Sequence, residues 1–337
     1  MDKIEIYIDE LLEKSTPDRP IWNIEKILQG LKSTWNYIDG CMIKAILEMY
    51  AITKDEKYFR FADNFIDCKV REDGSIEGYS VEELNIDNVN AGKTLFELYD
   101  LTGKEKYRKA IDLVYSQIEQ MPRTAEGNFW HKNIYPNQVW LDGLYMCQPF
   151  YMEYETRFHE KKNYDDIFRQ FFNVVEHMRD PKTGLYYHAY DSSREMFWCD
   201  KVTGLSQNFW LRALGWYSMA LLDTLDKADA SVGEPYERLK KVFVDLMDAM
   251  LKYQDASGMW YQVVNFGGME KNYLETSGSS IMAYALLKGV RLGFLPENYQ
   301  TYGAKAFHGI CEKYLSEDAD GSLHLDGICL VAGLGGK

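Results

Sequence analysis

The sequence predicts an all-α protein of the (α/α)6 barrel type, a toroid of helical hairpins with short β-hairpins on one rim. Three observations support this fold class. A polar turn opens an apolar helical stretch five times along the chain, and a second helix closes each unit. Turn dipeptides that end in glycine, followed by β-prone residues, recur between the units. The repeat spacing, roughly 50 to 70 residues, is too long and too variable for tetratricopeptide, ankyrin or HEAT arrays.

The first helix of each unit is predicted to lie in an inner layer. Apolar and small residues cover most of its circumference, which indicates burial on all sides. The second helix mixes apolar residues with Lys, Arg, Asp and Glu at helical spacing, which indicates a solvent-facing outer layer. The five first helices are predicted to open at Asp39, Asp87, Asp142, Asn208 and Ser277. Residues 3–15 add an unpaired outer helix.

The segments between units are predicted to form short strands or hairpins at one rim of the array. They are 73–80, 126–136, 183–193, 257–266 and 320–328. Because the connections between successive hairpins gather at one end of such an array, side chains from distant parts of the sequence can converge on a ligand there. Several of these segments carry Trp and Tyr, which favours a sugar ligand because sugars bind flat aromatic faces.

Composition favours one large domain over residues 1–337, since no linker or low-complexity run divides the chain. The net charge of −14 argues against nucleic acid as a partner, because phosphate binding needs a basic surface. No apolar run approaches the roughly 20 residues that span a bilayer, and the first residues are too charged for a signal peptide. The six cysteines lack CxxC spacing, so we expect reduced thiols in a cytoplasmic protein. The protein is expected to be a monomer or a homodimer.

Asp142 is the first candidate for chemistry, in the segment VWLDGLYM. An Asp at a predicted helix start is commonly an N-cap. The flanking Trp140 and Leu141 favour a general acid instead, because desolvation keeps a carboxyl group protonated near neutral pH. Asp87 holds the equivalent place one unit earlier. If the two carboxylates share a rim, repulsion raises the pKa of one and leaves the other charged, as in an acid/base pair.

Two histidines and an aromatic pair are candidates for substrate contact. His131 and His188 occupy corresponding places beside aromatic residues in two rim segments, and neither has the spacing of a metal site, so no metal is expected. Arg212 and Trp216 are four residues apart on one helix face, with Trp210 in the first turn. They could form an aromatic core stripe with a paired Arg. We favour a binding site in which Arg212 binds a carboxylate group of the ligand and the tryptophan rings stack on it, because an Arg in an apolar helix is costly unless it contacts an anion.

These motifs resemble a known family. The stretches DNVNAGK, HKNIYPNQVWLDGLYMCQPFYMEY, YYHAYD, SQNFWLRALGWYSMALLDTL, LETSGSSIMAYALLKG and VAGLGG are similar, in order, to the family 105 glycoside hydrolases, the unsaturated rhamnogalacturonyl hydrolases. The similarity runs from about residue 20 to the last residue. It implies an (α/α)6 barrel, a cytoplasmic enzyme, no cofactor, and a small unsaturated uronyl disaccharide as substrate. It further implies pectin degradation, with release of unsaturated galacturonic acid from rhamnose.

The resemblance also implies roles for the candidate residues. Asp142 matches the general acid/base and Asp87 the second acidic residue. His188, Trp210, Arg212 and Trp216 match pocket positions, and His131 is a further member of the set. The implied reaction protonates C4 of the C4=C5 double bond and adds water at C5. In it Asp142 gives the proton to C4 and then takes one from water, while Arg212 binds the uronate carboxylate.

Relatives of this kind continue past VAGLGG with another rim loop and a final inner helix, so the barrel is expected to be incomplete at its C-terminus or to close in another way.

Three other functions remain open from sequence. An unsaturated glucuronyl hydrolase acting on glycosaminoglycan fragments uses similar chemistry on the same fold. A sugar epimerase of the N-acylglucosamine type would make His131 and His188 central. A non-catalytic helical scaffold would leave the pocket residues as core and would show a contiguous apolar surface patch.

Overall fold

The computed structural model describes residues 2–330 and 333–334. By its internal contacts the chain divides into two compact units, Met1–Pro122 and Arg123–Lys337. The assignment of residues 1–337 to one catalytic domain stays a prediction.

The first unit is helical. Its helices are α1 (Asp2–Glu13), α2 (Ile24–Leu28), α3 (Tyr37–Thr53), α4 (Glu56–Asp67), α5 (Lys93–Thr102) and α6 (Glu105–Gln120). A 3₁₀ segment, Ile86–Gly92, leads directly into α5. The hairpins α3–α4 and α5–α6 are the first two predicted units, and α1 is the predicted unpaired helix.

The second unit contains three further hairpins and the strands. Its helices are α7 (Leu141–Phe158), α8 (Tyr164–Met178), α9 (Leu211–Lys227), α10 (Glu234–Leu251), α11 (Thr276–Arg291) and α12 (Tyr299–Tyr314). Its strands are β1 (Gln138–Trp140), β2 (Ala189–Asp191), β3 (Leu315–Glu317) and β4 (Leu323–Leu325). No helix within residues 2–330 is long and apolar enough to cross a membrane.

The predicted difference between first and second helices is confirmed in this unit. Helix α7 is buried on nearly its whole circumference, whereas α8 buries one stripe that includes Ile167, Phe168 and Phe171 and exposes Arg169. Helix α9 packs against both α7 and α11, and α10 packs against α8. First helices therefore contact first helices, and second helices contact second helices, as two layers require.

Glycines fix the turns that follow the second helices. Gly74, Gly127, Gly184 and Gly258 all have positive φ, and each packs closely against the second helix of the next unit. At Gly258, whose φ is +92°, an added Cβ would lie 2.5 Å from the carbonyl oxygen of Lys305 on α12. Both the left-handed backbone and the close approach therefore require glycine there.

The strands differ in part from the predicted local hairpins. β3 and β4 form such a hairpin, but β1 pairs antiparallel with the distant β2, with Gln138 opposite Asp191. The ladder continues into the start of α7, where the Leu141 N–H donates to the His188 carbonyl over 3.0 Å. This pairing joins β1, which follows the rim segment 126–136, to the rim segment 183–193, and it brings His188 to the first turn of α7.

Candidate active site

The centre of the candidate site is a carboxylate–imidazole pair. Asp142 lies in the first turn of α7, and its Oδ2 is 3.0 Å from Nε2 of His188. The Asp142 side chain is 16% exposed and that of His188 is 6% exposed. Asp142 is not the N-cap considered from sequence, because Trp140 occupies that position and no side chain caps α7.

The charge state of Asp142 differs from the sequence expectation. Burial acts to raise its pKa, but the charge of His188, the hydrogen bond from His188, the charge of His131 and its own backbone N–H together lower the pKa below the ordinary value. The expectation of a carboxyl group kept protonated by desolvation is therefore wrong for the unliganded site. Sequence showed the apolar neighbours of Asp142 but not the imidazoles that fold onto it.

Aromatic rings form one wall beside this pair. The buried His131 ring stacks on Trp140 at a centroid distance of 4.5 Å and an interplanar angle of 8°. Tyr135 stacks on the same indole at 5.3 Å. Trp140 meets the His188 ring edge-on at 5.6 Å. This stack holds both imidazoles close to the carboxylate.

A second wall is formed at the start of α9. Trp210 is the N-cap residue of this helix, and its ring lies 4.8 Å from that of His188. The Arg212 guanidinium lies 4.7 Å from the Trp210 ring centroid, within range of a cation–π interaction. His188 therefore contacts two tryptophans, which are the N-cap residues of α7 and α9.

Arg212 is held by neutral groups. Its Nη1 donates to Ser277 Oγ over 3.2 Å and to the carbonyl oxygen of Cys329. Among residues 2–330 and 333–334, no carboxylate oxygen lies within ion-pair distance of this guanidinium. The alternative of a buried Arg paired to a core acid is therefore not realised in the described part of the chain.

Trp216 lies one turn beyond Arg212. Its ring stacks on Tyr145 of α7 at 5.1 Å and 18°, and the side chain is half-buried. It contributes to the contact between α7 and α9, and its role in sugar binding stays a prediction.

Asp87 lies in the first unit, near the start of the 3₁₀ segment, where its N–H donates to Asn85 Oδ1 over 3.1 Å. The side chain is half-buried. Its role as the second carboxylate stays a prediction.

A cleft of about 420 Å³ opens beside His188 and Trp210. Its other lining residues are Phe197, Trp198, Ser206, Gln207, Asn208, Gln262, Val263, Gly333 and Leu334. Sequence reasoning included Gln262 and Val263 in a rim segment but assigned them no role, and it missed Phe197 and Trp198. The adjacent aromatic pair in EMFWCD, just beyond a predicted rim segment, was the available signal.

No group of three or more His, Cys, Asp or Glu side chains in the described residues is arranged to hold a metal ion.

Comparison with known proteins places the chain in a family. Over residues 13–337 the sequence matches the family model described as Glycosyl Hydrolase Family 88. A solved family 105 glycoside hydrolase from C. acetobutylicum ATCC 824 is 47% identical, with a TM-score of 0.87 over 93% of this chain and 87% of that one. The protein is thus a glycoside hydrolase. The chain belongs to glycosyl hydrolase family 88 in the broad sense of this model, and within it to the family 105 enzymes.

Two curated proteins are also similar to the chain in sequence. The 24.9 kDa protein in the picA locus of Rhizobium radiobacter is 37% identical over 197 residues, which is 57% of this chain and 82% of that protein. The unsaturated rhamnogalacturonyl hydrolase YesR of Bacillus subtilis strain 168 is 27% identical over 294 residues, which is 86% of this chain and 79% of that protein. The predicted family and its six-hairpin fold class are both confirmed.

Proposed function

We propose that this enzyme removes 4,5-unsaturated galacturonic acid from the disaccharide that a lyase leaves when it cleaves rhamnogalacturonan. The observation that carries the proposal is the Asp142–His188 pair, in which Oδ2 of Asp142 lies 3.0 Å from Nε2 of His188. The likeness to YesR supports the choice of rhamnogalacturonan.

The proposed reaction hydrates a vinyl ether. The C4=C5 double bond of the substrate is attached to the ring oxygen, so a proton added at C4 leaves positive charge shared by C5 and that oxygen. Water adds at C5 and loses a proton, which gives a hemiketal. The hemiketal opens to a ketone at C5 and a hemiacetal at C1. The hemiacetal then collapses to an aldehyde and expels the leaving sugar, so the uronate emerges as its 4-deoxy-5-keto form. The glycosidic carbon is never attacked, unlike in glycosidases that divide the work between two carboxylates.

The pair provides a route for the proton. Asp142 is ionised in the unliganded site because its pKa is lowered. An arriving uronate brings a negative charge that raises the pKa of a nearby carboxyl group. A proton on His188 Nε2 can then pass to Asp142 Oδ2 along their hydrogen bond. Asp142 delivers it to C4 and, as a carboxylate again, accepts one from the attacking water.

The other residues bind and orient the substrate in this proposal. Arg212 holds the uronate carboxylate with the N–H donors that Ser277 and Cys329 leave available, because a planar guanidinium matches a carboxylate in a bidentate geometry. Trp210 and Trp216 offer ring faces to the sugar, and His131 braces Trp140. Asp87 is kept in the proposal as the second acidic residue, the role that the resemblance to family 105 enzymes gives it.

The alternatives considered from sequence have less support. Family membership makes the chain an enzyme, so the scaffold hypothesis is wrong, and it does not favour the epimerase. A solved unsaturated glucuronyl hydrolase from Bacillus sp. GL1, described as responsible for glycosaminoglycan degradation, is 13% identical to this chain, which is a likeness of fold alone.

The experiment is to mix the purified chain with the lyase-generated disaccharide and follow loss of the ultraviolet absorbance of the double bond. Replacing Asp142 by Asn should lower kcat by about 10³-fold, because the proton donor is lost. Asp165→Asn is the matched control, since Asp165 is an exposed carboxylate in the first turn of α8. Turnover retained in Asp142→Asn would contradict the proposal.

A further inference from the structure

A short loop beside the cleft is held more tightly than its exposed position requires. The cleft loop, residues 192–199, follows β2. The Asp191 carboxylate at the end of β2 is fully buried and accepts the backbone N–H groups of Ser193, Glu195 and Met196 over 2.8 to 3.0 Å. Ser193 Oγ donates a further bond over 2.6 Å. These backbone N–H groups of the loop therefore all donate to the same buried carboxylate.

The carbonyl groups of the same loop are gathered on a cation. Lys201 Nζ donates to the backbone oxygens of Arg194, Glu195 and Met196 over 2.6 to 3.2 Å. Between these two clamps Arg194 is held at a φ of +62°, a backbone region that non-glycine residues rarely adopt. Such a conformation persists only where its surroundings over-determine it, and it is common at ligand sites. The loop is thus preorganised.

The clamped loop presents two aromatic rings to the cleft. Phe197 is 69% exposed although it is large and apolar, and Trp198 beside it is buried. Both line the cleft. Trp198 also packs with Trp140 and Ala189, so the loop is joined to the aromatic wall that contacts His188.

The chemistry of the cleft lining indicates what it accommodates. Phe197, Trp198, Val263 and Leu334 provide apolar surface, while Ser206, Gln207, Asn208 and Gln262 provide neutral hydrogen-bonding groups. Among the described residues that line the cleft, none is Asp, Glu, Lys or Arg. Apart from His188, which is paired with Asp142, the described lining therefore offers no charged side chain to a second uronic acid. A neutral sugar with one apolar face would find matching groups on both sides.

We propose that the cleft loop, fixed by Asp191, sets the selectivity of the enzyme for the leaving sugar, and that Phe197 selects a neutral 6-deoxyhexose by contact with its apolar face. This inference rests on the proposed function, since it takes the cleft as the place of the leaving sugar. Asp191 is a positioning residue that acts through the loop.

The test compares leaving groups. The kcat and KM are measured for unsaturated galacturonic acid linked to rhamnose, to galacturonic acid and to methanol. Phe197→Ala should lower the ratio of kcat/KM for the rhamnoside to that for the methyl glycoside by about tenfold, the range expected for a lost apolar contact. Val202→Ala is the control, since Val202 is 77% exposed and does not line the cleft. It should leave the ratio unchanged.

Asp191→Asn tests the positioning role. The amide offers one oxygen in place of two and turns an N–H₂ toward the donors of the loop, so the loop should lose its fixed conformation. The same ratio should fall to the level of Phe197→Ala, mainly through KM. The double variant should show little further loss, because both changes remove one contact. If Asp191 served only the stability of the fold, Asp191→Asn would lower kcat for all three substrates together.

The outcomes separate the two proposals. An enzyme that turns over none of the three glycosides contradicts the proposed function and with it this inference. Suppose instead that the enzyme turns over the methyl glycoside and that its preference among leaving sugars is the same in the wild type and in Phe197→Ala. This result overturns the inference and leaves the proposed function standing. A wild type that prefers the galacturonic acid leaving group overturns the inference and also contradicts the choice of rhamnogalacturonan in the proposed function.

Discussion

Two aspartates in first helices, the buried Asp39 and the partly exposed Asp142, show how a neighbour decides the charge of a carboxyl group. Asp39, in the first turn of α3, accepts hydrogen bonds from Trp22, Ser33 and Asn36. Burial has the largest effect on the pKa of Asp39 and raises it. The neutral hydrogen-bond donors and the charge of Lys69 lower the pKa by less, so it stays above its ordinary value. Burial also acts to raise the pKa of Asp142, but its partners are imidazoles and its pKa is lowered. Sequence could not distinguish the two, because the partners of Asp142 come from other segments.

Replacing His188 by Gln tests this account. Gln keeps a hydrogen-bond donor near Asp142 but removes the imidazole charge, so burial should prevail and the pKa of Asp142 should rise. In the wild type the lowered pKa favours the folded state above the ordinary pKa of Asp, and this contribution is lost as pH falls through the folded-state pKa. The free energy of unfolding of the variant should therefore fall less steeply in acid than that of the wild type.

Urea unfolding at several values between about pH 3 and pH 5 measures that slope. His308→Gln is the control, since His308 is exposed on α12, and it should keep the slope of the wild type. Parallel curves for His188→Gln and the wild type would show that the imidazole does not set the charge of Asp142.

Replacing Arg212 by Lys tests the carboxylate clamp. Lys keeps the charge but loses the planar fork and its stacking on Trp210, so the KM for the unsaturated disaccharide should rise about tenfold with a smaller change in kcat. Steady-state kinetics measures both constants. Arg169→Lys, an exposed change on α8, should leave both unchanged. If Arg212→Lys kept the KM of the wild type, the guanidinium of Arg212 would not bind the substrate.

At the scale of elements, the repeat of helix pairs could be predicted and the strand pairing could not. Helical periodicity and burial depend on local sequence, and all five predicted first helices are present among the described residues. The pairing of β1 with β2 depends on which distant segments the helices bring together. The cleft loop was missed for a related reason, since its hydrogen bonds to Asp191 and Lys201 leave no periodic pattern.

The close packing of rim turns on second helices predicts an effect on stability. Gly258→Ala adds a Cβ that meets the backbone of α12 and strains a positive φ. Gly233 also has positive φ, but nothing lies near its added Cβ. We expect Gly258→Ala to cost about 3 kcal/mol of unfolding free energy and Gly233→Ala about 1 kcal/mol. Chemical denaturation checks the difference, and equal costs would show that the turn is not tightly packed on the helix.

At the scale of the whole molecule, the hairpin repeat gathers site residues that are far apart in sequence. His188 lies 46 residues from Asp142, and Cys329 lies 117 residues from Arg212, which it contacts. Family, fold class and enzyme class were predictable because long motifs carry them. The cytoplasmic location, the oligomeric state and the single-domain assignment stay predictions.

The central claim is that a proton enters at C4 of the unsaturated ring through Asp142. The most direct measurement is to run the reaction in heavy water and analyse the uronate product by NMR, with product incubated without enzyme to correct for exchange. The account predicts one deuterium at C4 of the 4-deoxy-5-keto product, and formation of that product about 10³-fold more slowly by Asp142→Asn. A product that keeps its double bond and carries no deuterium at C4 would show that the glycosidic bond is cleaved directly, and would contradict the account.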